Sequence, residues 1–582
     1  MTPQAESTTV AVATRPLQRR DLAIAAAIFA LTLALRLVYL LHAQDASWPH
    51  SVPYEGDAPV WARWAGLLAD GQPFEADLPF RAPGVAYVLR WIGATAPPFT
   101  GAKMLWCVIS AATPAAIHLV MRRWFGSVAA AVAALGTMVG FGSFTLATTL
   151  NNEAPYALLV TTLVGVTIAW SRSPGLRTSM ALGLLHGACL LLRPEHAMLL
   201  VMLGAWACTS AIRLERGWKL VTARAAIVGG VAVLACLPWM LRSHAAAERF
   251  NREAPPIAFE QARPPWTPSA TARFRALPGF TQDANFRSLQ DLARQQGLAA
   301  VDDRTVQEFF DRLWQTTPEP IAEWSLVSFK GPLDFALAND VRGDGGFSQA
   351  ALADRLSPNP PFALERPSHL HLVNHGYAVG WKSITRDPAR WLRLAKEKIA
   401  RFTDGTTLGL FTTDWPHGRR HVRQAIDLAV PERGDAPAWN ATMIALVVAG
   451  AVIALRTPGG GALLVVLAYR LLVVIAFYGY ARHAASIAPI LFAFSGLSMQ
   501  RLVEQVMRQP RLRSHANLAR VAGAVAAAAL VIAAFVTAWR PPEWFAQPLA
   551  RDGRITPAPQ WHPDAFEAVD AIVLEPVRAS DR

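Results

Sequence analysis

The densest chemistry in the chain lies between residues 54 and 84. There Tyr54-Glu55-Gly56-Asp57-Ala58 is followed by a helical stretch from Pro59 to Ala69, then by Asp70-Gly71 and by Phe80-Arg81-Ala82-Pro83-Gly84. Asp57 stands at the start of the helical stretch, where a carboxylate can cap a helix by accepting bonds from its free amides. The same group can also take a proton from a substrate. Arg81 offers a planar fork that fits phosphate oxygens. Further along, Asn151-Asn152-Glu153 and Arg193-Pro194-Glu195 put ionisable groups at the ends of apolar runs. Such groups are costly beside hydrocarbon, so they line a cavity or pair with one another. Arg36, Arg242 and Arg482 flank apolar segments as well, and each can either snorkel to lipid headgroups or face inward. His369-Leu370-His371 with His375 has a spacing compatible with a metal. Spacing alone supplies neither geometry nor supporting partners, so no metal ligand is assigned from it.

The elements that must position these groups are membrane helices. The 582 residues are 53% hydrophobic and only 17% charged, with a mean hydropathy of +0.25, more apolar than an ordinary soluble domain. The net charge of +13 is carried by short Arg clusters between apolar runs, which argues for membrane topology and against nucleic acid. The four cysteines, Cys107, Cys189, Cys208 and Cys236, all lie within apolar segments and imply no disulfide framework.

Apolar runs of spanning or near-spanning length occur at 21–41, 101–121, 126–147, 153–171, 178–195, 196–213, 222–241, 438–456, 461–479, 484–500 and 519–538. The expected architecture is all-α and polytopic, with about eleven transmembrane helices. The first run is long for a signal peptide and lacks small residues in a cleavage pattern around His42 and Gln44, so it reads as an uncleaved span. The stretch 83–98, interrupted by Arg90 and closed by Pro97-Pro98, reads as a half-helix or interfacial segment.

Eleven crossings place Arg15/Arg19/Arg20, Arg122/Arg123, Arg172/Arg177, Arg213/Arg216/Lys219, Arg456 and Arg501/Arg508/Arg511/Arg513 together on the cytoplasmic side. The expected division is a cytoplasmic tail at 1–20 and a membrane module at 21–242 that includes a first outer loop at 42–82. A large mixed extracytoplasmic region at 243–437 follows between spans seven and eight, then helices at 438–538 and an outer tail at 539–582. Within the large region, Pro388 to Thr403 reads as a basic amphipathic helix on the membrane surface.

Several of these segments, taken in order, resemble the membrane glycosyltransferases of the GT-C fold, in the branch of the protein O-mannosyltransferases and lipid A aminoarabinose transferases. They are Leu35-Arg36-Leu37, Gly56-Asp57-Ala58 with Trp61, Asp70-Gly71 and Arg81-Ala82-Pro83-Gly84. Next come Asn152-Glu153-Ala154-Pro155, Leu192-Arg193-Pro194-Glu195 and Leu237-Pro238-Trp239 with Arg242. Asp387-Pro388 and Tyr480-Ala481-Arg482-His483 with Pro489 complete the series. Trp61 and His483 stand where the family often has Tyr and another aromatic residue, which leaves sugar and acceptor class open.

The resemblance implies an inverting transfer of a sugar from a polyprenyl-phosphate donor to an acceptor hydroxyl at the outer face of an inner, plasma-type membrane. The acceptor would be protein, lipid or polysaccharide. It implies Asp57 as base and Glu153 as a second catalytic carboxylate. Arg81, then Arg482, would receive the leaving phosphate, with Glu55, Arg193 and Glu195 in the substrate-binding group. A divalent metal stays open as a cofactor. Walker and dinucleotide phosphate cradles are absent from the sequence, which favours a lipid-linked donor reached from within the bilayer. Two other classes compete. A transporter or flippase of a lipid-linked sugar would fit the many spans, but the paired, interrupted halves common in transporters are not visible. A non-enzymatic envelope assembly protein would use the large outer region as its working part.

Overall fold

The structure is a computed structural model. It describes residues 16–47, 58–70, 80–93, 99–140, 143, 147, 150–314, 316–343, 345–346, 348, 350–353, 362–408, 437–479 and 481–508. The first helices are α1 (Arg19–Ser47), α2 (Ala58–Ala69), α3 (Gly84–Trp91), α4 (Thr100–Trp124), α5 (Ser127–Val139), α6 (Glu153–Arg172), α7 (Leu176–Leu192), α8 (His196–Arg213) and α9 (Trp218–Arg252). The intervening region holds α10 (Pro268–Arg275), α11 (Gly279–Gln295), α12 (Asp303–Phe309), α13 (Gly331–Ala338), α14 (Pro367–Arg386) and α15 (Pro388–Leu408). The last group is α16 (Pro437–Leu455), α17 (Gly460–Ala476), α18 (Ala481–Ala485) and α19 (Ala488–Arg508). Among the described residues there is no strand, only an isolated parallel bridge between Trp266 and Val301. The region expected to be mixed is therefore helical where it is described.

Among the described residues, five helices are long and apolar enough to cross a membrane: α1 over Arg19–Val38, α4, α6, α8 and α9. Four more apolar helices are shorter, namely Ser127–Val139, Leu176–Leu192, Thr442–Leu455 and Gly460–Ala476. The eleven expected crossings are thus not matched one for one, and the run 519–538 lies outside the described residues. α7, with 17 residues, rises about 25 Å and stands at the short end of the range for a spanning helix. α17 buries Leu463, Val466, Tyr469, Arg470 and Val473 within the bundle. α9 has 35 residues and runs past its apolar part to Arg252.

The two ends of the bundle differ in charge. At one end, Arg122 Nε of α4 donates to Asp21 Oδ1 of α1 at 2.8 Å. Beside it, the Trp124 ring is flanked by the guanidinium groups of Arg123 and, from the end of α6, Arg172. The opposite end carries the amino termini of α6 and α8.

Between the ends, helices approach closely where glycine removes the side chain, as is common in membrane bundles. Gly183 and Gly187 of α7 face Val231 and Ala235 of α9, and Gly450 of α16 meets the backbone of Phe494 in α19.

The region between α9 and α16 has two cores of its own. Phe259, Phe274, Leu289, Phe309 and Phe310 pack between α10, α11 and α12. Phe329, Leu333, Leu370 and Val373 of the α13–α14 segment pack with Phe80 and Tyr478, tying this region to the first loop and to the end of α17. Helix α15, expected on the membrane surface, buries Leu394, Ala395 and Phe402 in protein. Leu392 and Arg393 remain on its exposed side.

Candidate functional site

The bundle end away from Asp21 and Arg122 holds a buried cluster of charge. Pro194 cannot continue α7, and the residue before a proline is pushed to extended backbone. Arg193 accordingly turns to φ −148°, ψ 108°, and Glu195 becomes the residue that precedes α8. Glu153 occupies the first turn of α6. Both carboxylates therefore sit at helix amino termini, where the aligned peptide dipoles favour negative charge.

Arg193 lies between them. Its Nε donates to Glu195 Oε1 at 2.7 Å, and its Nη1 stands 3.6 Å from Glu153 Oε1. On the far side, Arg470 of α17 places Nη1 3.5 Å from Glu195 Oε1. Glu153 and Arg470 are 1% and 0% exposed. Two carboxylates against two guanidinium groups make the set neutral, which is what allows such burial, because an unpaired buried charge costs several kcal/mol.

Below the ions runs a chain of polar rings. Tyr156 OH lies 3.1 Å from Tyr469 OH and 3.0 Å from His196 Nδ1. His196 Nε2 in turn lies 2.9 Å from His186 Nδ1. The protons can be arranged in either direction along this chain, depending on the His196 tautomer. Arg193 and Arg470 sit 5.5 Å from the Tyr156 ring and 5.9 Å from the Tyr469 ring, within cation–π range.

Five of the sequence segments singled out above are linked around this cluster. Gly84, at the end of Arg81-Ala82-Pro83-Gly84, lies against the last turn of α7, where a Cβ would come within 2.7 Å of Leu191 O and 3.0 Å of Leu192 Cδ2. Asn152 donates from Nδ2 to Leu192 O at 3.0 Å, and Trp106 Nε1 holds Asn151 O at 2.8 Å. Trp61 Nε1 donates to Ala82 O at 2.9 Å, connecting α2 to the Arg81 turn. From the carboxyl-terminal part, Arg470 Nη2 donates to Ser486 Oγ, which donates to His483 O; both bonds are 2.7 Å.

The individual residues are placed as follows. Glu153, Arg193 and Glu195 form one ion-paired group. Arg81 is half-buried in the chain turn that ends at Gly84. Arg482 lies on α18. Asp57 and Glu55 lie outside the described residues. Arg36 does not snorkel: it is buried, with Nε on Ser110 Oγ at 3.2 Å and Nη2 on Met138 O at 2.7 Å. Arg242 stacks over Trp239 at 4.8 Å.

His369 is not part of a metal-ligand set. It is buried, its Nδ1 accepts from Ala363 N at 3.1 Å, and its Nε2 lies 2.9 Å from Leu352 O. Residues i and i+2 point to different sides of a helix, so His369 and His371 cannot share a face.

Sequence reasoning passed over Arg470, Tyr469, Tyr156, His186 and His196. An arginine inside the apolar run 461–479 was the signal for the first, since intramembrane charge is rare without a partner.

The chain matches no protein-family profile and no curated protein. Among solved structures it is similar to the archaeal oligosaccharyltransferase AglB from Archaeoglobus fulgidus in complex with an inhibitory peptide and a dolichol-phosphate. The identity is 13% and the TM-score 0.45, over 90% of this chain and 56% of that one. The apo form of the Archaeoglobus fulgidus oligosaccharyltransferase gives 13% identity and a TM-score of 0.44, over 89% and 55%. The chain spans about half the length of these structures.

Proposed function

We propose that the chain is a membrane glycosyltransferase. On this reading it transfers a sugar from a polyprenyl-phosphate donor to an acceptor hydroxyl, at the bundle end that carries Glu153 and Glu195. The observation that supports it best is the convergence of three separated segments, the start of α6, the α7–α8 turn and α17, on one neutral, buried Glu153–Arg193–Glu195–Arg470 cluster. The basic termini of α4 and α6 lie at the opposite end, as they do when the working end faces away from the cytoplasm.

In this reading Asp57 takes the proton of the acceptor hydroxyl, the oxygen attacks the anomeric carbon, and the bond from that carbon to the lipid-phosphate oxygen breaks with inversion. The departing phosphate carries away the electron pair. Arg81 and Arg482 are assigned to that developing charge, where fixed cations lower a barrier most. Glu153 and Glu195 position Arg193 and Arg470 and keep their charge balanced.

The reading is tested with full-length protein in detergent, given a polyprenyl-phosphate sugar and candidate acceptors. Detergent leaves no two compartments, so a new glycosidic bond separates transfer from transport. Asp57→Asn is expected to keep the fold and lose turnover by about 10²–10⁴-fold, the usual contribution of a positioned base. Wild-type turnover by that variant rejects Asp57 as base, and movement of lipid-linked sugar across a bilayer without bond formation rejects the enzyme.

A further inference from the structure

The outer region holds a constellation that the transfer reaction does not use. His371 and His375 are one helical turn apart on α14, so their imidazoles leave the same face. Their ring centroids are 4.8 Å apart. Opposite them stands Glu319, whose Oε2 lies 2.7 Å from His375 Nε2. One ligand atom from each of the three residues lies within 4.8 Å of the others, and His371 Nδ1 is buried without a hydrogen-bond partner.

The backbone that presents Glu319 is held on both sides. Asn374, from the same helix as the histidines, donates Nδ2 to Pro320 O at 3.0 Å. Asn251, at the end of α9, donates Nδ2 to Ile321 O and accepts the Ile321 amide on Oδ1, both at 3.0 Å. Outer partners of this kind orient first ligands and raise affinity for a metal.

We propose that His371, His375 and Glu319 form a zinc site that clamps the segment 319–330 to α14. Two imidazole nitrogens and a carboxylate oxygen are a zinc ligand set, and the half-exposed His375 and Glu319 leave a fourth position for water. Tetrahedral ligands at about 2.0–2.2 Å from zinc stand roughly 3.3–3.5 Å apart. The His375–Glu319 pair therefore opens slightly and His371 closes, within reach of side-chain rotation.

The ion would be structural. In the hydrolytic His-Glu-x-x-His helix, a glutamate follows the first histidine and serves as general base. Here that position is Leu372, which is buried. The clamped segment has two further anchors: Val327 O accepts from Trp239 Nε1 of α9 at 2.7 Å, and Ser328 Oγ donates to Phe80 O at 2.6 Å. The zinc would thus restrain the strap that holds the residue before Arg81.

The test uses full-length protein in detergent, purified without a polyhistidine tag and stripped with a chelator. It is titrated with Zn2+ by calorimetry and with Co2+ by visible d–d absorption. The wild type is expected to take up one ion per chain with a tetrahedral Co2+ spectrum and a raised melting temperature. Uptake is lost in His371→Ala and in Glu319→Gln, and returns in Glu319→His, which recreates a three-histidine zinc set. A wild type that takes up no Zn2+ overturns the site without recourse to any variant. Uptake unchanged in the His371→Ala/His375→Ala protein overturns it as well.

Discussion

Arg470 and Glu195 form an ion pair across the interior of the bundle, with Nη1 3.5 Å from Oε1, although they come from the two ends of the chain. Arg470 is wholly buried and belongs to α17, whose other residues are almost all apolar. Removing the cation therefore leaves the cluster with one carboxylate more than its guanidinium groups, Glu195 losing a partner inside the bundle. Arg470→Met is expected to cost about 3–5 kcal/mol, the usual penalty for breaking a buried pair. Thermal unfolding in detergent measures it. Glu195→Gln in the same protein restores charge balance, so the double variant is expected to recover about 0.5–3 kcal/mol relative to the sum of the singles. Strict additivity would show that the two residues do not interact.

A second prediction concerns pH. Lys398 of α15 is buried, with Nζ 3.0 Å from Asn339 Oδ1 and 3.0 Å from Ile475 O at the end of α17. Burial without a carboxylate lowers its pKa from 10.5 to about 7. The folded protein then binds fewer protons than the unfolded chain between about pH 7 and pH 10.5, so stability rises with pH across that window. Below about pH 7 the lysine is charged in both states and the folded state carries the full desolvation penalty. Melting temperature followed from pH 6 to about pH 10 is expected to climb in the wild type and to be flatter in Lys398→Met. Parallel profiles in the two proteins would remove Lys398 as the cause.

A third prediction separates two glycines in the first part of the chain. Gly84 lies against the end of α7, so Gly84→Ala drives a methyl group into Leu191 O and Leu192. Overpacking of this kind costs about 1–3 kcal/mol, and the displaced turn carries Arg81. Gly101, in the first turn of α4, has open space around its Cα. There Gly101→Ala is expected to stabilise by up to about 1 kcal/mol, because alanine loses less backbone entropy in a helix. Transfer activity should fall in the first variant alone, and equal effects in both would deny the contact between α3 and α7.

Much of the site was legible because ionisable residues stand out against apolar sequence. Glu153, Arg193 and Glu195 were visible on that ground, and their pairing follows from the cost of isolated charge. Arg470 carried the same signal but lay within a run read only for its length. Tyr156, Tyr469, His186 and His196 were not legible, since uncharged polar rings raise no alarm in an apolar helix and their partners come from other helices. The same limit explains the histidines of α14. Spacing along one helix grouped His369 with His371 and His375, whereas the partner on the correct face, Glu319, arrives from a distant segment. Span number is less legible for a related reason: α7 and α17 bury one face in protein and expose Leu176, Met180, Leu184 and Leu472 on another, and composition alone does not separate packing in protein from packing in lipid.

The order of the ring chain supplies the last prediction. Tyr156 is an inner member, bonded to Tyr469 on one side and His196 on the other, while Tyr469 stands at the end of the chain. Tyr469→Phe leaves the Tyr156 hydroxyl free to donate to His196, so no buried nitrogen loses its partner. Tyr156→Phe instead strands both the Tyr469 hydroxyl and His196 Nδ1, and each buried group left unsatisfied costs about 1–3 kcal/mol. The two substitutions delete the same single oxygen atom from equally buried rings, so packing changes cancel in the comparison. Tyr156→Phe is therefore expected to lower the melting temperature clearly more than Tyr469→Phe does. A smaller effect at Tyr156 than at Tyr469 would mean that the hydrogen bonds do not run through the Tyr156 hydroxyl.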